Sequence, residues 1–179
     1  MNLEGEILRE HSRRQAERIA TWVGDDRRRF RNLMTFFLHG EPLVTQRAAW
    51  AVGICADRNP GLVRPYLRSM LDKMQRPDSH DAVKRNVVRM LQNVEIPSEL
   101  LGKVATICFD YLSDNDAPVA VKCCSMTVIA RLAENEPDLL RELRLLVEQQ
   151  LPFSTAGFQA RARKLKVLLP KNHKEILYG

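Results

Sequence analysis

The sequence predicts an all-α fold, an α-α superhelix of about four antiparallel helix pairs, and two observations carry that expectation. Apolar residues recur at spacings of three and four along nearly the whole chain, with no alternating run that would make a half-buried strand. The same apolar pattern then returns after 38 residues, a period in the range of helix-pair repeats. The bulk composition agrees: 179 residues, 45% hydrophobic and 28% charged with only 8 glycines, describe a chain that can bury a core without disulfide or metal staples.

Taken in order, the periodic segments fall at 3–23, 26–38, 42–56, 60–75, 80–93, 98–112, 117–133, 137–150 and 155–168. Proline sets several starts, because the first turn of a helix tolerates a missing N–H, and Pro42, Pro60, Pro97, Pro118 and Pro137 all stand where a helix would begin. Asn59, Asp78 or Ser79, Asp116, Asn135 and Ser154 are candidate N-caps, each with a short side-chain oxygen to accept from an orphan backbone N–H. One face of each helix is apolar. Val63, Tyr66, Leu67, Met70, Leu71 and Met74 form one stripe, and Leu101, Val104, Ala105, Cys108, Tyr111 and Leu112 form another.

Sliding the chain by 38 residues aligns both members of each pair. In the first helices Gln46, Lys84 and Lys122 superpose, as do Val52, Met90 and Val128. In the second helices the matches are Val63, Leu101 and Leu139, then Leu67, Ala105 and Leu143, then Met70, Cys108 and Leu146. On these residues the chain resembles HEAT or armadillo-type helical repeats over about residues 40–169, with repeats at 42–76, 78–113 and 116–151. Residues 1–40 read as a diverged N-terminal pair or cap, and 154–179 as a C-terminal capping helix and tail, all within a single repeat domain at 1–179.

The resemblance implies a non-catalytic scaffold or adaptor that binds a partner on the concave face lined by the second helices. On those helices Asp72, Asp110 and Glu148 recur at the repeat spacing, with Arg68 and Arg144 four residues before the first and third. Neighbouring carboxylates one helix diameter apart, about 10 Å, are too distant to chelate one metal but suit a basic or helical partner. The plainer reading is i, i+4 ion pairing on a solvated face.

Charge is uneven. Residues 1–40 hold 8 basic and 6 acidic side chains, 41–157 hold 14 and 15, and 158–179 hold 6 and 1, so the net +6 sits mainly at the C-terminal end. There Arg161, Arg163, Lys164 and Lys166 surround an apolar face of Phe158, Ala162, Leu165 and Leu169, and Lys171 and Lys174 extend the charge. This patch fits a phosphate or acidic protein, or else basic stems packed over an open helix end. A denser cluster, Arg27, Arg28, Arg29 and Arg31, follows Asp25 and Asp26 and reads as a solvated helix face. The tail holds Ile176, Leu177 and Tyr178, an apolar end for docking on its own domain or on a second copy of the chain.

No catalytic residue, cofactor or metal is expected. His11, His39, His80 and His173 lie in separate segments, with no zinc-protease spacing, nucleophile elbow or phosphate-binding loop. Cys55, Cys108, Cys123 and Cys124 lie inside apolar patterns and read as core residues of a reducing cytosol. The first residues lack a signal-peptide core, and no apolar run approaches the roughly 18 residues of a membrane span, so a cytoplasmic protein without membrane contact is expected. The partner is expected to be another protein. The alternative is nucleic acid, because DNA alkylation-repair glycosylases are also built from HEAT-like repeats. Against it, Trp50 lies among Ala48, Ala49, Ala51 and Val52 and reads as core rather than as an open stacking platform.

Overall fold

The structure is a computed structural model that describes residues 1–134 and 136–168, with side chains through residue 165. The candidate cap Asn135, the Lys166 side chain, and Leu169, Lys171, His173, Lys174, Ile176, Leu177 and Tyr178 lie outside the described residues. Every regular element described is helical, and two compact units divide at Ile96 and Pro97.

The first unit contains α1 (Leu3–Arg9), α2 (Arg13–Val23), α3 (Arg27–His39), α4 (Pro42–Arg58), α5 (Leu67–Met74) and α6 (Asp81–Leu91). The single helix predicted over 3–23 is in fact two. Glu10 takes an extended backbone and Ser12 restarts the chain as an N-cap, its Oγ accepting from the Gln15 N–H at 3.1 Å. Periodicity missed the break because Ile7, Ala16 and Ile19 bury on both sides of it. The buried Gln15 side chain then ties the halves together, donating to the Glu6 carbonyl and carboxylate at 2.7 Å each.

The helix predicted over 60–75 is also divided. Two single 3-10 turns, Pro60–Leu62 and Arg64–Tyr66, precede α5. Pro60 and Pro65 have no N–H, and a proline ring inside an α-helix collides with the carbonyl four residues earlier, so the α-helical ladder begins only after them.

Among the six, α4 sits at the centre, packed by α2, α3 and α6. Its residues explain the position: Ala48, Ala49, Ala51, Val52, Gly53, Cys55 and Ala56 are all buried, so the helix is small and apolar on nearly every side. At Gly53 a Cβ would stand 2.7 Å from Arg89 Nη2 of α6. The missing side chain lets the guanidinium cross α4 and reach Asp57 at 2.8 Å.

The second unit contains α7 (Ser98–Ser113), α8 (Val119–Leu132), α9 (Pro137–Gln150), a 3-10 turn at Leu151–Phe153, and α10 (Ala156–Leu168). Here α8 takes the central place, flanked by α7, α9 and α10, and buries Val121, Cys123, Met126, Val128 and Ile129.

Several candidate caps are replaced. His80, not Asp78 or Ser79, caps α6, its Nδ1 accepting from the Ala82 N–H at 3.0 Å. Pro118 stands at the N-cap of α8 in place of Asp116. Thr155 accepts from the Phe158 N–H at 3.4 Å, while the Ser154 hydroxyl turns back to the Leu151 carbonyl. Asn59 precedes the first 3-10 turn, but its side chain donates to Asp25 at 2.9 Å instead of accepting from the turn. Pro42, Pro60 and Pro137 stand in the first turn as predicted, whereas Pro97 and Pro118 sit one place earlier.

The 38-residue register holds at the level of elements. Val52, Met90 and Val128 are buried on α4, α6 and α8, and Leu67, Ala105 and Leu143 are buried on α5, α7 and α9. Position by position it is less uniform. Val63 is fully buried, Leu139 is half-buried and Leu101 is 40% exposed.

Candidate interaction surfaces

The acidic positions are carried outward by the same periodicity that buries their neighbours. Asp72 on α5 is exposed beside the buried Leu71, and Asp110 on α7 and Glu148 on α9 are exposed beside the buried Cys108 and Val147. Within the second unit α7 and α9 are in contact, which places Asp110 and Glu148 on adjoining helices. Arg144 Nε reaches Glu148 Oε1 at 2.7 Å, an i, i+4 pair on a partly open face. Arg68 is exposed one turn before Asp72.

The basic C-terminal helix is anchored by its apolar side. Phe158, Ala162 and Leu165 are buried, and α10 packs on α8. Arg161 is occupied within the unit, its Nη1 donating to Thr127 Oγ1 of α8 at 3.0 Å, while Arg163 and Lys164 are exposed. The arginine cluster at the start of α3 is also partly engaged. Asp26 caps the helix by accepting from the Arg28 and Arg29 N–H groups, and those hydrogen bonds hold its carboxyl below the ordinary range. Arg29 lies 5.2 Å over the Trp22 ring and donates to the Trp22 carbonyl at 2.8 Å. Trp50 is half-buried, with His11 edge-on at 5.6 Å.

The cysteines are protected. Cys55, Cys108 and Cys123 are buried and Cys124 is half-buried. Burial pushes the Cys55 and Cys108 thiols up to about 12 and raises Cys123 as well. Thiols held this far from ionisation are poor nucleophiles. Among the described residues, no three His, Cys, Asp or Glu side chains gather as a metal site would need, and no helix is long and apolar enough to cross a membrane.

Clefts open between elements in both units. The first, about 310 Å³, lies between the end of α3 and the start of α6, where His39, Lys73, Arg76, Asp78 and His80 mix both charges. The second, about 350 Å³, is lined by Lys122, Val119, Gln150, Phe153, Thr155 and Phe158 with other residues of the second unit. Sequence reading aligned Lys122 with Gln46 and Lys84 but gave no sign that it would be buried beside a cleft. The one available signal was the partner position three residues earlier, which is Asp81 before Lys84 and Val119 before Lys122.

The family model for a HEAT repeat domain matches residues 3–166. No curated protein and no solved structure matches the chain.

Proposed function

The chain belongs to the HEAT repeat domain family, and from that premise we propose that it is a non-catalytic protein-interaction scaffold whose partner is held on the face presented by the second helices. The observation that carries the reading is the outward acidic position one repeat apart on adjoining helices. Asp110 and Glu148 occupy equivalent places on α7 and α9, both exposed, above equivalent residues, Ala105 and Leu143, that are buried. Asp72 continues the same register on α5. Exposed carboxylates at fixed spacing set partner choice and encounter rate more than raw affinity, and they favour a basic or helical partner. Arg144 tunes that face by pairing with Glu148, and in the first unit Arg68 stands one turn before Asp72.

A nucleic-acid partner is the weaker reading. Arg161 is committed to Thr127 and one face of Trp22 is covered by Arg29, so the features that would hold phosphate and stack bases are partly used within the protein. The deciding experiment is affinity capture of partners by the native chain and by the Asp110→Lys, Glu148→Lys double variant, with helicity of both checked by circular dichroism. Loss of specific protein partners from the variant is the expected result. Capture of the same partners by both proteins refutes the acidic face, and retention of duplex DNA at moderate salt, with the steep salt dependence of phosphate contacts, would favour the alternative.

A further inference from the structure

We propose that the cleft around Lys122 is a second binding site, for a protein segment in which a carboxylate stands next to an apolar side chain. Neither Asp110 nor Glu148 lines this site, and its charge is opposite to theirs.

The starting observation is a buried cation. Lys122 is only 8% exposed, and the one hydrogen-bond partner of its ammonium among the described residues is Gln150 Oε1, at 3.4 Å. A charge withdrawn from water is expensive unless paired, so a lysine kept here is poised for an anion. The repeat one step earlier shows the contrast. Lys84 lies 3.5 Å from Asp81 in the preceding turn, but the residue standing where that aspartate would be before Lys122 is Val119, which is 38% exposed. The lysine is retained and its counter-charge is replaced by an apolar surface.

The surroundings reinforce both halves of that description. Among the described residues, no acidic side chain lines the cleft. Asp114 and Asp116 lie in the loop before α8, and Asp114 Oδ1 is occupied by the Asp116 N–H at 2.9 Å. Helix α8 begins at this cleft with proline at its N-cap, no side-chain acceptor for its first N–H groups and no acidic residue in its first turn. The first turn of α10, which adjoins the cleft through Thr155 and Phe158, also holds no acidic residue. Unneutralised helix N-termini add positive potential where the ammonium already lies. Beside them stands Phe153, 93% exposed, a large apolar ring with no folding role that burial would explain.

One buried lysine and an exposed aromatic match a carboxylate-bearing peptide better than a nucleic-acid backbone, whose evenly spaced phosphates call for a strip of exposed cations.

The test is selection of short random peptides displayed on phage against the full chain, followed by affinity measurement of the enriched peptides as free, labelled molecules. Enrichment of Asp or Glu beside aromatic or aliphatic residues is expected. The Lys122→Met variant, similar in volume and free of the buried charge, is expected to fold and to bind those peptides at least about tenfold more weakly, the scale of a charge-assisted hydrogen bond. Phe153→Ala, a change at the surface, is expected to weaken them severalfold. The Arg163→Gln, Lys164→Gln variant, which removes more exposed positive charge, and the Asp110→Lys, Glu148→Lys variant are both expected to bind as the native chain does. The proposal is overturned if no peptide is enriched, if the enriched peptides lack an acidic residue, if Lys122→Met binds them unchanged, or if either surface-charge variant abolishes binding.

Discussion

Two leucines of the second unit separate the structural account from a reading based on periodicity alone. Leu101 on α7 and Leu143 on α9 both lie on apolar stripes, yet Leu101 is 40% exposed and Leu143 only 4%. Truncation to alanine removes about three carbon groups' worth of burial, roughly 2.4 kcal/mol for a fully covered side chain at about 0.8 kcal/mol each. At Leu143 nearly all of this is lost, and a cavity beside Leu140 and Val147 adds to it, for a total of about 3 kcal/mol. At Leu101 the covered fraction brings the transfer loss to about 1.4 kcal/mol. No closed void forms there, and alanine's better helix propensity returns a few tenths, leaving about 1 kcal/mol.

Urea unfolding followed by far-ultraviolet circular dichroism measures both, with the slope of each transition compared so that a changed midpoint is read as changed stability. Neither tryptophan lies in this unit, so backbone signal is the appropriate probe. Leu143→Ala is expected to lose about 2 kcal/mol more than Leu101→Ala. Equal losses would refute the burial difference and restore the simple equivalence of stripe positions.

Gly24 ends α2 with φ +51°, so a Cβ there strains the backbone although the nearest atom, the Thr21 carbonyl oxygen, is 3.8 Å away. Gly24→Ala is expected to cost about 1–3 kcal/mol, and a thermal midpoint equal to the native chain's would contradict this. The raised thiols of Cys55 and Cys108 add an alkaline limb to stability. Below the ordinary value of 9.0 both states keep the protons, whereas between 9.0 and about 12 the unfolded chain loses protons that the native chain retains, so stability falls as pH rises. A Cys55→Ala, Cys108→Ala variant should lose stability less steeply across that window. Parallel pH profiles for the two proteins would rule out the thiols as its cause.

The chain's sequence was sufficient to assign the all-helical repeat fold and to place Asp72, Asp110 and Glu148 off the buried apolar stripes of their helices. Those properties depend on which residues share a side of a helix, and Val52, Met90 and Val128, or Leu67, Ala105 and Leu143, carry that information locally. The breaks at Ser12 and at Pro65 were local signals too, but the continuing apolar period concealed them. What tertiary structure alone decided is how completely a neighbour covers each apolar or charged position. Leu101 belongs to a proper stripe and still meets water, while Lys122, which the sequence aligns only with Gln46 and Lys84, is buried on α8. Periodicity states which way a side chain points, and only the packing of other helices determines what it finds there.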